Sequence, residues 1–233
     1  MTQTEAKIYL SEQRGKTEFS WFRSLHTFNF GNYFDENKAS FGIIKSFNDN
    51  TLAARKSNKR RVENPTEVLI LPLVGGIEFK NSMGFHDFLE VGQIQIFSAQ
   101  AGMEYEVINP YESEQNASRL INYLEIWIEK EQINTSEVEQ ITFDIEQRNE
   151  LLPIFTQEDI FIYFGKFGGR EDSIYQLRNS QNGIFAFVIE GAFEFQNRLL
   201  HPRDGLALWQ VAELDFEALS NDAMLLVFEI PQS

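Results

Sequence analysis

LVGGIEF at residues 73–79 and IEGAFEF at residues 189–195 are one phrase written twice, 116 residues apart. Each has an apolar entry, a Gly at the third place, a small residue, an apolar residue, then Glu and Phe. Each is followed by an Asn (Asn81, Asn197) and then by a strand-like run, QIQIF (93–97) or GLALW (205–209). Such a repeat says that one all-β unit has been duplicated. It also marks where chemistry should sit, because both copies should carry the same pocket.

Outward from the repeat, short strand-like runs recur at close spacing. The first half holds FGIIKSF (41–47), VLILPLV (68–74), QIQIFSA (93–99), YEVIN (105–109), NYLEIWI (122–128) and QITFDI (140–145). The second holds IFIYFGKF (160–167), SIYQLR (173–178), GIFAFVIEGAFEF (183–195), LALWQV (206–211) and AMLLVFEI (223–230). Phe is abundant, at 22 residues, and alternates in FNFGNYF (28–34) and FAFVIEGAFEF (185–195), which predicts half-buried strands. Turn signals such as Asn48-Asp49-Asn50 and Pro202-Arg203-Asp204-Gly205 separate the runs. Helical periodicity is confined to two short candidates, Ser136–Glu139 and Asp215–Leu219. The polar stretch KEQINTSEVEQ and the Pro of QRNELLPIF place the boundary between about 130 and 158. The expected organisation is therefore an N-terminal unit over 1–133, a linking segment over 134–149 and a C-terminal unit over 150–233.

Composition narrows the chemistry. With no cysteine, disulfides, thiolate zinc sites and cysteine nucleophiles are excluded. Only three histidines are present, His26, His86 and His201, none at ligand spacing from another. A net charge of −15 opposes nonspecific nucleic-acid binding, leaving the basic run ARKSNKRR (54–61) as a solvated loop or a local contact. No apolar run approaches the roughly 20 residues of a spanning helix, and the N-terminus carries no hydrophobic signal segment, so no membrane association and a cytoplasmic location are expected. Nucleophile elbows, phosphate loops and dinucleotide fingerprints are absent.

The stretch WFRSLHTFNFGNYFDENKASFGIIKSFNDN (21–50) resembles the opening of pirin-family proteins, with their His-Ser-Phe-Ser-Phe-Gly-Asn-Tyr signature and Asn-Asp-Asp turn. GGIEFKNSMG (75–84), AGMEYEVIN (101–109) and NYLEIWIE (122–129) are similar, in order and spacing, to further segments of that family, the last to its Leu-Gln-x-Trp-Ile. The second half resembles the C-terminal cupin of the quercetinase-type bacterial group. The resemblance implies an all-β bicupin, two packed cupin barrels in a pirin-like arrangement. It also implies an iron-type metal in the N-terminal barrel, held by three His and one Glu, and it brings transcription-factor partners as well as catalysis into view.

Counted back from NSMG without gaps, the family's first two ligand positions fall on Arg61 and Glu63 and its following acidic residue on Glu67; the second pair, within AGMEYEVIN, falls on Tyr105 and Val107. No imidazole remains, and Arg61 is a permanent cation that repels a metal. No metal, no cofactor and no catalytic residue are therefore expected. Glu63, Glu67, Glu104 and Glu106 could in principle bind a hard cation, but neighbours in a strand face opposite ways and Arg61 shares the face of Glu63. Two readings of the positions stand side by side: Arg61 and Glu63 pair in the barrel mouth, or Arg61 holds a small anionic ligand with Tyr105 stacking or donating a hydrogen bond. The expected function is a binding or regulatory protein with a small-ligand or protein partner. The alternative is a cupin dioxygenase like quercetin 2,3-dioxygenase, or a metal-free cupin enzyme using Tyr105 and Glu63.

Overall fold

The structure is a computed structural model and describes residues 5–112 and 119–232. Among these residues there are 21 β-strands and a single 3₁₀ turn at Ser11–Gln13. The chain forms two compact units. One comprises Gly15–Ser40 and Ile44–Thr142, the other Met1–Arg14, Phe41–Ile43 and Phe143–Ser233.

The first unit has a seven-stranded sheet ordered β12 (Val138–Thr142), β9 (Gln93–Ala99), β6 (Thr66–Val74), β11 (Ile121–Glu129), β4 (Ile44–Leu52), β3 (Phe22–His26) and β2 (Gly15–Phe19). Its second sheet is ordered β5 (Ser57–Arg61), β10 (Glu104–Ile108), β7 (Ile77–Asn81) and β8 (His86–Leu89). Val68, Ile70, Ile77, Phe79, Phe97 and Tyr105 meet in the core of this unit. The second unit repeats the plan. Its larger sheet runs β1 (Ala6–Tyr9), β19 (Gly205–Leu208), β16 (Asn182–Glu190), β21 (Ala223–Pro231), β14 (Ile160–Phe167) and β13 (Glu150–Gln157). Its smaller sheet runs β15 (Asp172–Gln176), β20 (Glu213–Ala218), β17 (Phe193–Phe195) and β18 (Arg198–Leu200). Both units are cupin barrels, and the fold is an all-β bicupin.

The duplicated phrase is the turn from β6 into β7 and from β16 into β17. Its third-place glycine has φ +73° at Gly75 and +75° at Gly191, a left-handed backbone that a side chain disfavours. The phrase ends on Phe79 and Phe195, both fully buried. Sequence identity in the repeat thus follows from one tight turn and one core position.

The structure draws the unit boundary differently from the sequence. Val138–Thr142 pairs with Gln93–Phe97 and so belongs to the first unit. Ala6–Tyr9 pairs with Gly205–Leu208 and so belongs to the second, taking on β19 the place that β12 takes on β9. Neither helix candidate forms. Residues 138–142 are a strand, and Glu213–Ala218 is a strand whose Leu214, Phe216 and Ala218 are buried on alternate positions. FNFGNYF is a loop, not a strand. Gly31 takes φ +57°, Phe30 and Tyr33 form an isolated bridge, and both polar ends of the Asn29 side chain bond the Asp35 backbone. QIQIFSA and IFIYFGKF form strands over the residues that sequence alternation marks.

The two glycines differ in room. A Cβ on Gly191 would lie 2.5 Å from Ser220 Oγ and 2.9 Å from the Ala223 backbone, whereas on Gly75 it would meet Ile121 at 3.0 Å. Gly191→Ala is expected to lower stability by about 2–3 kcal/mol and Gly75→Ala by about 1 kcal/mol, read from urea unfolding midpoints. Equal, negligible losses would contradict this account of the repeat.

Candidate functional site

Alternation along β5 decides what reaches the interior of the N-terminal barrel. Asn58 and, beyond the strand, Val62 are buried, and the Arg60 side chain is only 23% exposed. Lys59 is exposed between them, and the Arg61 and Glu63 side chains are 60% and 77% exposed. On the neighbouring strand Tyr105 and Val107 are buried. Registration places Tyr105 opposite Arg60 and Val107 opposite Asn58.

Two of the four sequence-derived positions, Tyr105 and Val107, therefore face inward, and Arg61 and Glu63 do not. Arg61 and Glu63 do pair, at 3.9 Å, but on the outward face, where water surrounds them. The cation inside the barrel is Arg60. An anion held in the interior by Arg61 does not fit this placement. The basic run is also largely answered by carboxylates: Arg55 pairs with Glu112, Lys59 with Glu104 at 2.7 Å and Arg60 with Glu125 at 3.5 Å.

Glu125, on β11, is the centre of the site and is fully buried. Its Oε1 accepts from the Tyr105 hydroxyl at 2.7 Å. Its Oε2 accepts long bonds from the Asn48 and Asn50 amides, both at 3.4 Å, and faces Arg60 Nε at 3.5 Å. The arginine contact is a charge pair without hydrogen-bond alignment. Trp127 Nε1 donates to the Tyr105 oxygen at 2.8 Å. Asn58 Nδ2 donates to the Tyr123 hydroxyl at 3.0 Å. The guanidinium lies over the Phe30 ring at 5.0 Å and the Phe22 ring at 5.8 Å, a placement that favours a cation.

His26 supports this network from behind. It is buried on β3, with Nδ1 2.7 Å from Asn48 Oδ1 and Nε2 2.9 Å from Thr17 Oγ1. Because the Asn48 amide nitrogen is turned to Glu125, its oxygen faces His26, which places the imidazole proton on Nδ1. His26 thus acts through hydrogen bonds. His86 is exposed beside Glu78, and His201 is an exposed turn residue whose backbone N–H donates to Asp204. Glu67 is buried and accepts from Ser98 Oγ at 2.7 Å. Among the described residues no group of three or more His, Asp or Glu is placed to hold a metal ion.

A groove of about 370 Å³ opens beside the network, lined by Phe30, Trp127, Ser46, Glu63, Asn64 and Glu129 among others. Phe30 and Trp127 belong to both, meeting edge to face at 5.4 Å. A smaller recess of about 250 Å³ includes Tyr105, Glu104 and Glu106 with Lys59 and Lys80. The four sequence-derived positions thus do not converge on one cavity. The sequence reading missed Arg60, Glu125 and Trp127 as site residues. Two signals marked Arg60 and Glu125. Val62, the apolar residue just after the basic run, shares its parity with Arg60. Glu125 stands where the resembling family motif has Gln.

Burial holds the Tyr105 phenol well above its usual range, with the Glu125 charge adding to the effect. Burial and then Glu125 raise Tyr123 as well. Desolvation works against the Arg60 charge, but Glu125 and the two phenols outweigh it, and its pKa is raised. A phenol whose folded pKa is raised stabilises the native state below the unfolded value near 10 and loses that contribution as pH rises past it. Unfolding free energy is therefore expected to fall above about pH 10, and Tyr105→Phe is expected to flatten that fall. An unchanged alkaline profile in the variant would contradict this assignment.

The Pirin family model matches residues 8–128, and that described as Quercetinase C-terminal cupin domain matches residues 136–230. A relative from Escherichia coli K12 named Quercetin 2,3-dioxygenase is 27% identical, over 96% of this chain and 99% of its own. A Pirin-like protein of Caulobacter vibrioides is 21% identical over 93% and 96%. The crystal structure of YhhW from Escherichia coli superposes with a TM-score of 0.86 at 26% identity, covering 98% of this chain and 99% of that one. A second YhhW structure, titled a bacterial pirin in complex with nickel(II), gives 0.85 at 24% identity, covering 98% and 100%. With the first of these family matches spanning more than half its length, and the bicupin fold matching throughout, this chain belongs to the pirin family.

Proposed function

We propose that this chain is a metal-independent binding or regulatory member of the family. The observation that carries this reading is the Arg60–Glu125–Tyr105 network at the inward rung of the N-terminal barrel. The inward side chains of β5 and β10 are an amide, a guanidinium, a phenol and an isopropyl group, from Asn58, Arg60, Tyr105 and Val107. This donor set does not fit a redox or divalent metal. Arg60 has no lone pair to give and repels a cation, Val107 has no donor atom, and a phenol binds only after losing a proton that burial makes it keep. Glu125, the one carboxylate at the centre, is already engaged by Tyr105 and Arg60.

The binding surface this reading favours is the groove over Phe30 and Trp127. It offers aromatic faces beside polar groups, the mixture typical of small-molecule sites. A protein partner could use the same face.

The second reading is a quercetin 2,3-dioxygenase, and the names of the relatives favour it. Metal analysis separates the two. Protein incubated with iron, nickel, copper, manganese or cobalt salts and then desalted is expected to retain far less than one ion per chain. It is also expected to leave quercetin unconsumed in an absorbance assay. One tightly held ion per chain, accompanied by quercetin turnover, would overturn the proposal.

A further inference from the structure

The C-terminal unit carries a recess that takes no part in the network above. It has a volume of about 650 Å³, within the range of small-molecule sites. Trp209, Gln210, Ser180, Gln181, Gln232 and Glu5 line it. Among the described residues no cation lines it, and the one charge is the Glu5 carboxylate. Trp209 is half-buried, held from one side by Phe41 at 5.1 Å and 66°.

The frame of the recess is fixed from beneath. Glu229, fully buried, accepts from the Tyr175 hydroxyl at 2.5 Å, from the backbone N–H groups of Arg178 and Asn179 at 2.9 and 2.8 Å, and from Asn182 Nδ2 at 3.1 Å. One carboxylate thus pins the segment from 178 to 182. The opposite wall is tied to it through Leu177 N–H donating to Ala212 O at 3.0 Å, and Trp209 N–H donates to Glu5 O at 3.2 Å. Against this rigid frame, the side chains of Ser180, Gln181 and Gln210 make no hydrogen bond among the described residues, and all three are exposed. Fixed backbone with uncommitted amides and a hydroxyl is an arrangement in which ligand binding costs little ordering of the protein.

We propose that this recess binds a neutral saccharide, with the apolar face of a sugar ring on Trp209 and its hydroxyls on Ser180, Gln181 and Gln210. The chemistry of the lining selects this class. Primary amides both donate and accept, as sugar hydroxyls do. Phosphates and carboxylates want cations, and none is among the described lining residues. The indole gives a flat apolar surface with no need for a charged partner. A nucleobase commonly gains a second aromatic or guanidinium plane on its other face, and the recess lines up only one ring. The site lies in the C-terminal unit and stands or falls independently of the N-terminal reading.

The test is saturation-transfer NMR on the full chain with glucose, galactose, maltose and cellobiose, with adenosine as a comparison. Transfer to ring protons of at least one sugar is expected, with about a tenfold loss of affinity in Trp209→Ala and a several-fold loss in Gln181→Ala. Gln181 is exposed and its side chain bonds nothing among the described residues, so its variant keeps the test valid if Trp209→Ala disturbs packing on Phe41. Absence of transfer from all four sugars would overturn the proposal. So would binding of adenosine alone, or sugar affinities unaltered in both variants.

Discussion

A carboxylate removed from water must be answered by charge or by donors, and Glu125 is where the N-terminal barrel meets that demand. It is fully buried on the central strand β11. Arg60 supplies the charge, and Tyr105, Asn48 and Asn50 supply the donors. The constraint spreads outward from there. Arg60 is steadied by Phe30 and Phe22, Tyr105 by Trp127 and the Phe79 ring, and Asn48 by His26. Six strands and the 28–34 loop thereby converge on one ion pair. Removing either charge alone would leave the other uncompensated in an apolar interior.

The two barrels share a plan and fill it differently. By strand order, β5 and β10 correspond to β15 and β20, and the Arg60–Tyr105 rung corresponds to Tyr175–Leu214. The second barrel has no buried guanidinium at that rung, and one of its buried carboxylates, Glu229, is satisfied by a phenol and by backbone and amide N–H groups. Both interiors nonetheless rest on a tyrosine donating to a glutamate. In the first barrel that contact fills the centre. In the second it ties down a surface loop.

Much of the fold was legible in the sequence because duplication leaves marks that survive divergence. A left-handed turn keeps its glycine, as at Gly75 and Gly191, and a core position keeps its phenylalanine, as at Phe79 and Phe195. Long apolar strands such as Ile160–Phe167 were legible for the same reason. The N-terminal strand was not. Ala6–Tyr9 is short, and its partner Gly205–Leu208 lies some 200 residues away, a pairing that no local pattern announces. The site was half legible. Tyr105 and Val107 were located because the frame around them is kept without gaps. An ungapped count puts Arg61 and Glu63 at interior positions because it cannot see which parity of β5 faces inward. A shift of one residue exchanges the faces of a strand. The structure gives that parity to Asn58, Arg60 and Val62, and Arg60 replaces Arg61 as the interior cation.

If the ion pair is what closes this barrel, its two members must depend on each other energetically. A double-mutant cycle with Arg60→Met and Glu125→Gln, followed by urea unfolding, measures that dependence directly. Each single change is expected to cost about 3–5 kcal/mol by stranding its partner, and the double variant to cost well below their sum, a coupling of about 2 kcal/mol or more. Additive losses would contradict the account and leave Arg60 and Glu125 as neighbours without a shared role.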